Sequence, residues 1–171
     1  MRAWRLAVFV AAACVTSATG AAEPRWLELT SLHSGETVMV RWSPDGALEA
    51  DAPGRLKHVL RDRRNGDELE MDPALFELLV DLAAEAKVAP RYEVISGYRS
   101  PESNAKMHAR SSGVAEKSLH MQGRAIDVRL RGVDTLRLAT LARAMKRGGV
   151  GYYRKGGFVH VDTGRVRIWD G

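Results

Sequence analysis

The chain has 171 residues, enough for a single domain with a sizeable core. Apolar residues make up 45% and charged residues 27%, a globular balance that excludes disorder and collagen-like repeats, while a single cysteine excludes a disulfide framework and any Cys-based zinc finger. The formal net charge of +5 is spread along the chain with no basic block, so composition gives no support to nucleic-acid binding.

Residues 1–22 read as a secretory signal. Arg2 and Arg5 give the positive start, Leu6 to Val15 is an unbroken apolar run, and Ser17 to Ala22 is rich in small residues suited to cleavage. The run is short of the roughly 20 residues a spanning helix needs, so no transmembrane segment is expected in the mature chain. Cys14 lies inside it, and Ala11-Ala12-Ala13-Cys14 lacks the Leu that a lipoprotein box carries three residues before its cysteine. Removing the two arginines leaves 24 basic against 21 acidic residues, a net +3. Residues 23–171 are expected to form one exported domain.

Trp26 to Leu32 and Glu36 to Trp42 read as a hairpin turning at Ser34-Gly35, with Val38, Val40 and Trp42 on one face. Ser43-Pro44-Asp45-Gly46 is a turn, and the stretch to Gly54 reads as a surface loop before a short helix over Leu56 to Arg63. Asp72 is the N-cap and Pro73 the first residue of a longer helix, whose Leu75, Leu78, Leu79, Leu82 and Ala86 recur at helical spacing. Tyr92 to Ser96 is a strand, and Ser100-Pro101 opens a helix that ends near Arg110. Residues 114–123 form a loop before a strand at Arg124 to Leu130. Asp134 caps a helix expected to turn Leu136, Leu138, Leu141, Ala142 and Met145 inward and to stop at Gly148-Gly149. Short strands follow near Val150 to Tyr153, Gly157 to Asp162 and Val166 to Trp169. The pattern predicts an α+β domain with a small, mostly antiparallel sheet and flanking helices.

Strand alternation places Ile126, Val128 and Leu130 on one face and Asp127 on the other, and sets His160 beside Asp162 with Val159 and Val161 behind them. Gly123 allows the preceding loop to turn so that His120 doubles back towards Asp127. Two imidazoles and a carboxylate supply three protein ligands for Zn²⁺ and leave a fourth position open to water. An isolated His beside a strand is more often a hydrogen-bonded surface residue, and Asp127 can equally pair with Arg124 or Arg129. Spacing alone leaves both readings open.

Ser118-x-His120-x-x-Gly123-x-Ala125-x-Asp127 resembles the signature of the zinc DD-/LD-peptidases of bacterial cell walls, a group that shares its fold with the hedgehog signalling domain. Ser96-Gly97-Tyr98-Arg99-Ser100 and the distal His160 match as well. The blocks Val150 to Tyr153 and Gly157 to Arg165 are similar to the MepK-type periplasmic murein endopeptidases, and the likeness runs over roughly residues 26–171. The resemblance implies a hedgehog/DD-peptidase-like α+β fold, zinc as cofactor, and His120, Asp127 and His160 as its ligands. It also implies Arg99 as the group that binds substrate and stabilises the oxyanion, and Ser118 as a residue that holds either the ligand loop or the substrate. Peptidoglycan is the implied substrate, cut at stem-peptide cross-links in the periplasm.

One departure matters. The carboxypeptidase branch carries a catalytic Glu three residues before the last ligand His, and here that position is Gly157. Asp162 is the nearest acid on the same strand face, with two expected roles: general base, or a carboxylate that orients a ligand His. His108 is an outside candidate, and His33 and His58 have no motif support. The competing readings are a DD- or LD-carboxypeptidase that trims stem peptides, and an inactive zinc-containing module that binds peptidoglycan. Oligomeric state is not legible.

Overall fold

A computed structural model describes residues 25–111 and 113–171; the segment read as a signal, with Cys14, lies outside the described residues. In chain order the elements are β1 (Trp26–Ser31), β2 (Thr37–Arg41), α1 (Ala52–Val59), α2 (Pro73–Ala86), β3 (Arg91–Ser96) and α3 (Pro101–His108). A short 3-10 turn (Leu119–Gln122) leads to β4 (Ala125–Leu130), α4 (Thr135–Met145), β5 (Gly149–Tyr153), β6 (Phe158–Asp162) and β7 (Arg167–Asp170).

The strands form one sheet in the order β2-β1-β3-β4-β6-β5-β7. Every pairing is antiparallel except β1 with β3 and β5 with β7, so the fold is α+β with a mostly antiparallel sheet. Helices α1, α2 and α4 cover one face. There Leu27, Leu29, Val38, Val40, Ile126, Val128, Val159 and Val161 meet Leu75, Leu79, Leu82 and Leu138 in a single buried cluster. Burying side chains of this kind stabilises by about 1.5–3 kcal/mol each, which makes this face the main source of stability.

The caps act where the sequence places them. Asp72 accepts from the Ala74 N–H and Asp134 from those of Leu136 and Arg137. Two helix expectations need correction. Helix α1 begins at Ala52 and ends at Val59, not at Leu56 and Arg63, because Pro53 and Gly54 sit in its first turn, where a proline lacks no needed hydrogen bond. Leu136 does not point inward but is 47% exposed. It precedes Leu138 by two residues, about 200° round the helix, so both cannot face the sheet. Helix α4 also stops before Gly148, with Lys146 left-handed at φ 54°.

Candidate metal centre

Strands β4 and β6 pair antiparallel with Asp127 opposite His160. Their apolar alternates go to the helix side, so Asp127, His160 and Asp162 emerge together on the other face. His120 arrives from the 3-10 turn, where the Ser118 hydroxyl accepts from the His120 N–H at 3.4 Å. Gly123 closes that turn at φ 66°, and a Cβ there would lie 2.5 Å from the Glu70 carbonyl oxygen.

One atom from each of His120, Asp127 and His160 lies within 4.8 Å of the others, and all three residues are buried. Asp127 Oδ1 is 2.9 Å from His160 Nδ1 and 3.3 Å from His120 Nε2, and the two nitrogens are 3.2 Å apart. The outer nitrogen of each ring has an acceptor behind it: His120 Nδ1 is 2.7 Å from the Gly97 carbonyl oxygen, and His160 Nε2 is 3.0 Å from Asp162 Oδ2. With a cation at the centre, each ring can turn its N–H outward to this acceptor and its lone pair inward. Three acceptors converging in a buried pocket suit a cation, and outer partners of this kind fix the tautomers of ligating imidazoles. The residues fit a metal ion.

Burial pushes the Asp127 carboxyl up, but the charge and hydrogen bond of His120, joined by those of His160, outweigh it and hold the group below the usual carboxylate range. Burial works the other way on His160, lowering it, while Asp127 and Asp162 raise it to a net upward shift. The protein alone thus already favours an anionic Asp127 at the centre.

Asp162 is fully buried. Its Oδ1 accepts from the N–H groups of Gly149 and Gly164 and from Arg167 Nη1, and its Oδ2 from Arg167 Nη2 at 2.6 Å. Burial raises this carboxyl and the bonds from His160, Arg167, Gly149 and Gly164 lower it further than that. With both oxygens engaged behind His160, Asp162 is not among the residues lining the cleft. Of its two expected roles the geometry favours orienting His160 over acting as base.

The three inner atoms open into a cleft of about 330 Å³. Arg99 enters it from the segment after β3, where its N–H donates to the His120 carbonyl oxygen and its Nη1 to Asn104 Oδ1 at 3.2 Å. Its Nε is buried without a partner among the described residues. Burial lowers the pKa of this guanidinium and the nearby Asp127 opposes that. Gly157 sits at φ 63° and donates no side chain; a Cβ there would point at the Arg129 guanidinium, 3.6 Å away, whose Nε already donates to the Gly157 carbonyl oxygen. His108 is exposed beside the Val114 carbonyl, and His58 pairs with Glu68, so neither joins the cleft.

The cleft is also lined by residues to which the motifs assign no role. Tyr153, Phe158, Arg167 and Trp169 all line the cleft. Trp169 lies opposite Gly151 in the β5–β7 register, and a Cβ on Gly151 would come within 2.5 Å of the indole. That missing side chain lets the indole settle 5.1 Å from the His160 ring. The strand alternation through Gly151, Tyr153 and Trp169 was the available signal.

Residues 19–169 match a family model described as Peptidoglycan L,D-endopeptidase MepK. The chain belongs to the MepK family. It is 38% identical over 146 residues to the peptidoglycan L,D-endopeptidase MepK of Escherichia coli strain K12, a span covering 85% of this chain and 80% of the relative. The probable MepK of Haemophilus influenzae is 36% identical over 150 residues, covering 87% and 81%. No solved structure matches the chain. Membership of the MepK family makes the chain a hydrolase of the metallopeptidase class, in keeping with its buried His–Asp–His group.

Proposed function

We propose that the chain is a zinc-dependent murein L,D-endopeptidase, hydrolysing amide bonds in the stem-peptide cross-links of peptidoglycan. The convergence of His120 Nε2, Asp127 Oδ1 and His160 Nδ1, each ring backed by an outer acceptor, carries this reading. These three residues hold the metal. Bound zinc supplies a Lewis acid and an acidified water at the position the protein leaves open.

The chain's own residues do the rest. Asp162 and the Gly97 carbonyl keep the two imidazoles in the ligating tautomer. Arg99, with donors left over after Asn104, donates to the negatively charged oxygens of the substrate at the cleft. Ser118 acts through the ligand loop, by capping the turn that carries His120. A carboxypeptidase mechanism with Glu three residues before His160 has no counterpart, since Gly157 faces Arg129. The substrate lies outside the cytoplasmic membrane, which fits residues 1–22 as an export signal and a periplasmic mature protein. Among the described residues no helix is long and apolar enough to cross a membrane.

Residues 23–171 and their His160→Ala variant test the reading on one set of purified sacculi, with metal content measured in parallel. One zinc per chain and muropeptides released by the unsubstituted protein alone are expected. Zinc without product would favour the binding module, and no zinc would overturn the metal assignment.

A further inference from the structure

The cleft that Arg99 lines also carries a hydroxyl held in place by its neighbours and with its proton unspent. Tyr153 closes β5 on the same sheet face as the metal-binding residues: Gly151 pairs with His160 and Tyr153 with Phe158. Its ring stacks on Phe158 with centroids 4.6 Å apart and planes 14° from parallel. The hydroxyl oxygen accepts from Trp169 Nε1 at 3.1 Å. That indole is in turn anchored, 5.1 Å from the His160 ring and 5.1 Å from the Arg167 guanidinium.

A phenol has one proton to donate and two lone pairs. The indole N–H can only donate, so it takes a lone pair and leaves the proton free; among the described residues no acceptor receives it. Two contacts thus fix the ring, and Tyr153 lines a cleft shared with Arg99, Asp127 and His160. Donors fixed before the reaction stabilise charge that develops during it, because they need no reorganisation.

We infer that Tyr153 is a catalytic residue whose hydroxyl donates a hydrogen bond to the scissile carbonyl oxygen as negative charge builds there, in the cleft it shares with Arg99. This rests on the endopeptidase reading above. The donation moves no proton: the O–H stays on Tyr153, and Trp169 keeps the oxygen aimed.

Tyr153→Phe removes the hydroxyl and leaves the stacked ring. With zinc content and melting temperature unchanged, its kcat on cross-linked muropeptide should fall about 10- to 100-fold, the range of a charge-assisted hydrogen bond, with KM changed less than about twofold. Affinity for a phosphinate peptide, whose anionic oxygens imitate the charged carbonyl, should fall similarly while affinity for the product stem peptide holds. Trp169→Phe breaks the same indole bond but retains the hydroxyl, and should lose less. Wild-type kcat in Tyr153→Phe, or equal losses in both variants, would overturn the role of Tyr153 while the unsubstituted enzyme still cleaves. Failure of that enzyme to cleave any muropeptide would instead overturn the endopeptidase reading, and this inference with it.

Discussion

Strands β4 and β6 present two faces, one sealed under helices and one opening on the cleft, that are opposite in kind. On the helix side Ile126, Val128, Val159 and Val161 pack among leucines of α2 and α4; one residue along, Asp127, His160 and Asp162 fill the other side with ionisable groups. Burying a methylene is favourable wherever it happens, whereas a buried carboxylate or imidazole is tolerable only with partners in good geometry. The apolar face therefore tolerates repacking, and the polar face does not. Stability and chemistry have been separated across the thickness of one sheet.

Neighbouring substitutions break the comparison most sharply. Asp127→Ala should abolish metal binding and endopeptidase activity while the far-ultraviolet spectrum stays folded. Ile126→Ala, on the next residue, should cost about 2–5 kcal/mol in denaturant unfolding with kcat per folded molecule preserved. Activity loss in the second without unfolding, or global unfolding in the first, would show the faces to be coupled.

A smaller effect is expected behind the ligands. Asp162→Asn keeps the shape but removes the charge that Arg167 and His160 both face. Metal affinity or activity should drop about 10- to 100-fold, with affinity read by competition with a chelator of known affinity. No change would mean that Gly97 and the sheet suffice to orient the rings.

The smallest effect sharpens the comparison at a third buried acid, Asp62, which sits off the sheet and holds α3. It accepts from the Ser100 N–H and hydroxyl at 2.8 Å each and from the Arg64 N–H. Burial raises its carboxyl, and the bonds from Ser103, Arg64 and Ser100 bring it below its ordinary 3.8 overall. A depressed folded pKa contributes stability above the unfolded value and loses it as pH falls through the folded one. The stability gap between the unsubstituted protein and Asp62→Asn should thus be full above about pH 5 and shrink steadily below about pH 4. A gap independent of pH would remove the carboxylate's charge from the account.

What the sequence disclosed and withheld follows from range. Asp72-Pro73 and Asp134 act through hydrogen bonds two or three residues away, so their helices are legible. Alternation sets the faces of Asp127 and His160 and Gly123 marks the turn that carries His120, but spacing leaves a surface reading open, and only the family resemblance singles the three out as ligands. Pro53-Gly54 misled because the same dipeptide serves a loop and a first helical turn. Leu136 misled because an apolar residue at a helix start need not fall on the inward arc. Alternation gives Trp169 and Tyr153 a face, but their approach to His160 depends on the β6-β5-β7 order, which no local pattern encodes.

That strand order also sets a sequence of events. Asp127 and His160 are 33 residues apart, and α4 and β5 lie between them in the chain. Closing so long a loop comes before the ligands can share an ion, and the closure entropy is met by apolar pairing on the opposite face. A site made across the β4–β6 pair needs that pairing in place before it can hold an ion, unlike the small domains in which an ion drives folding. Cells short of the metal would then hold folded, idle chains that await their ion rather than misfolded ones.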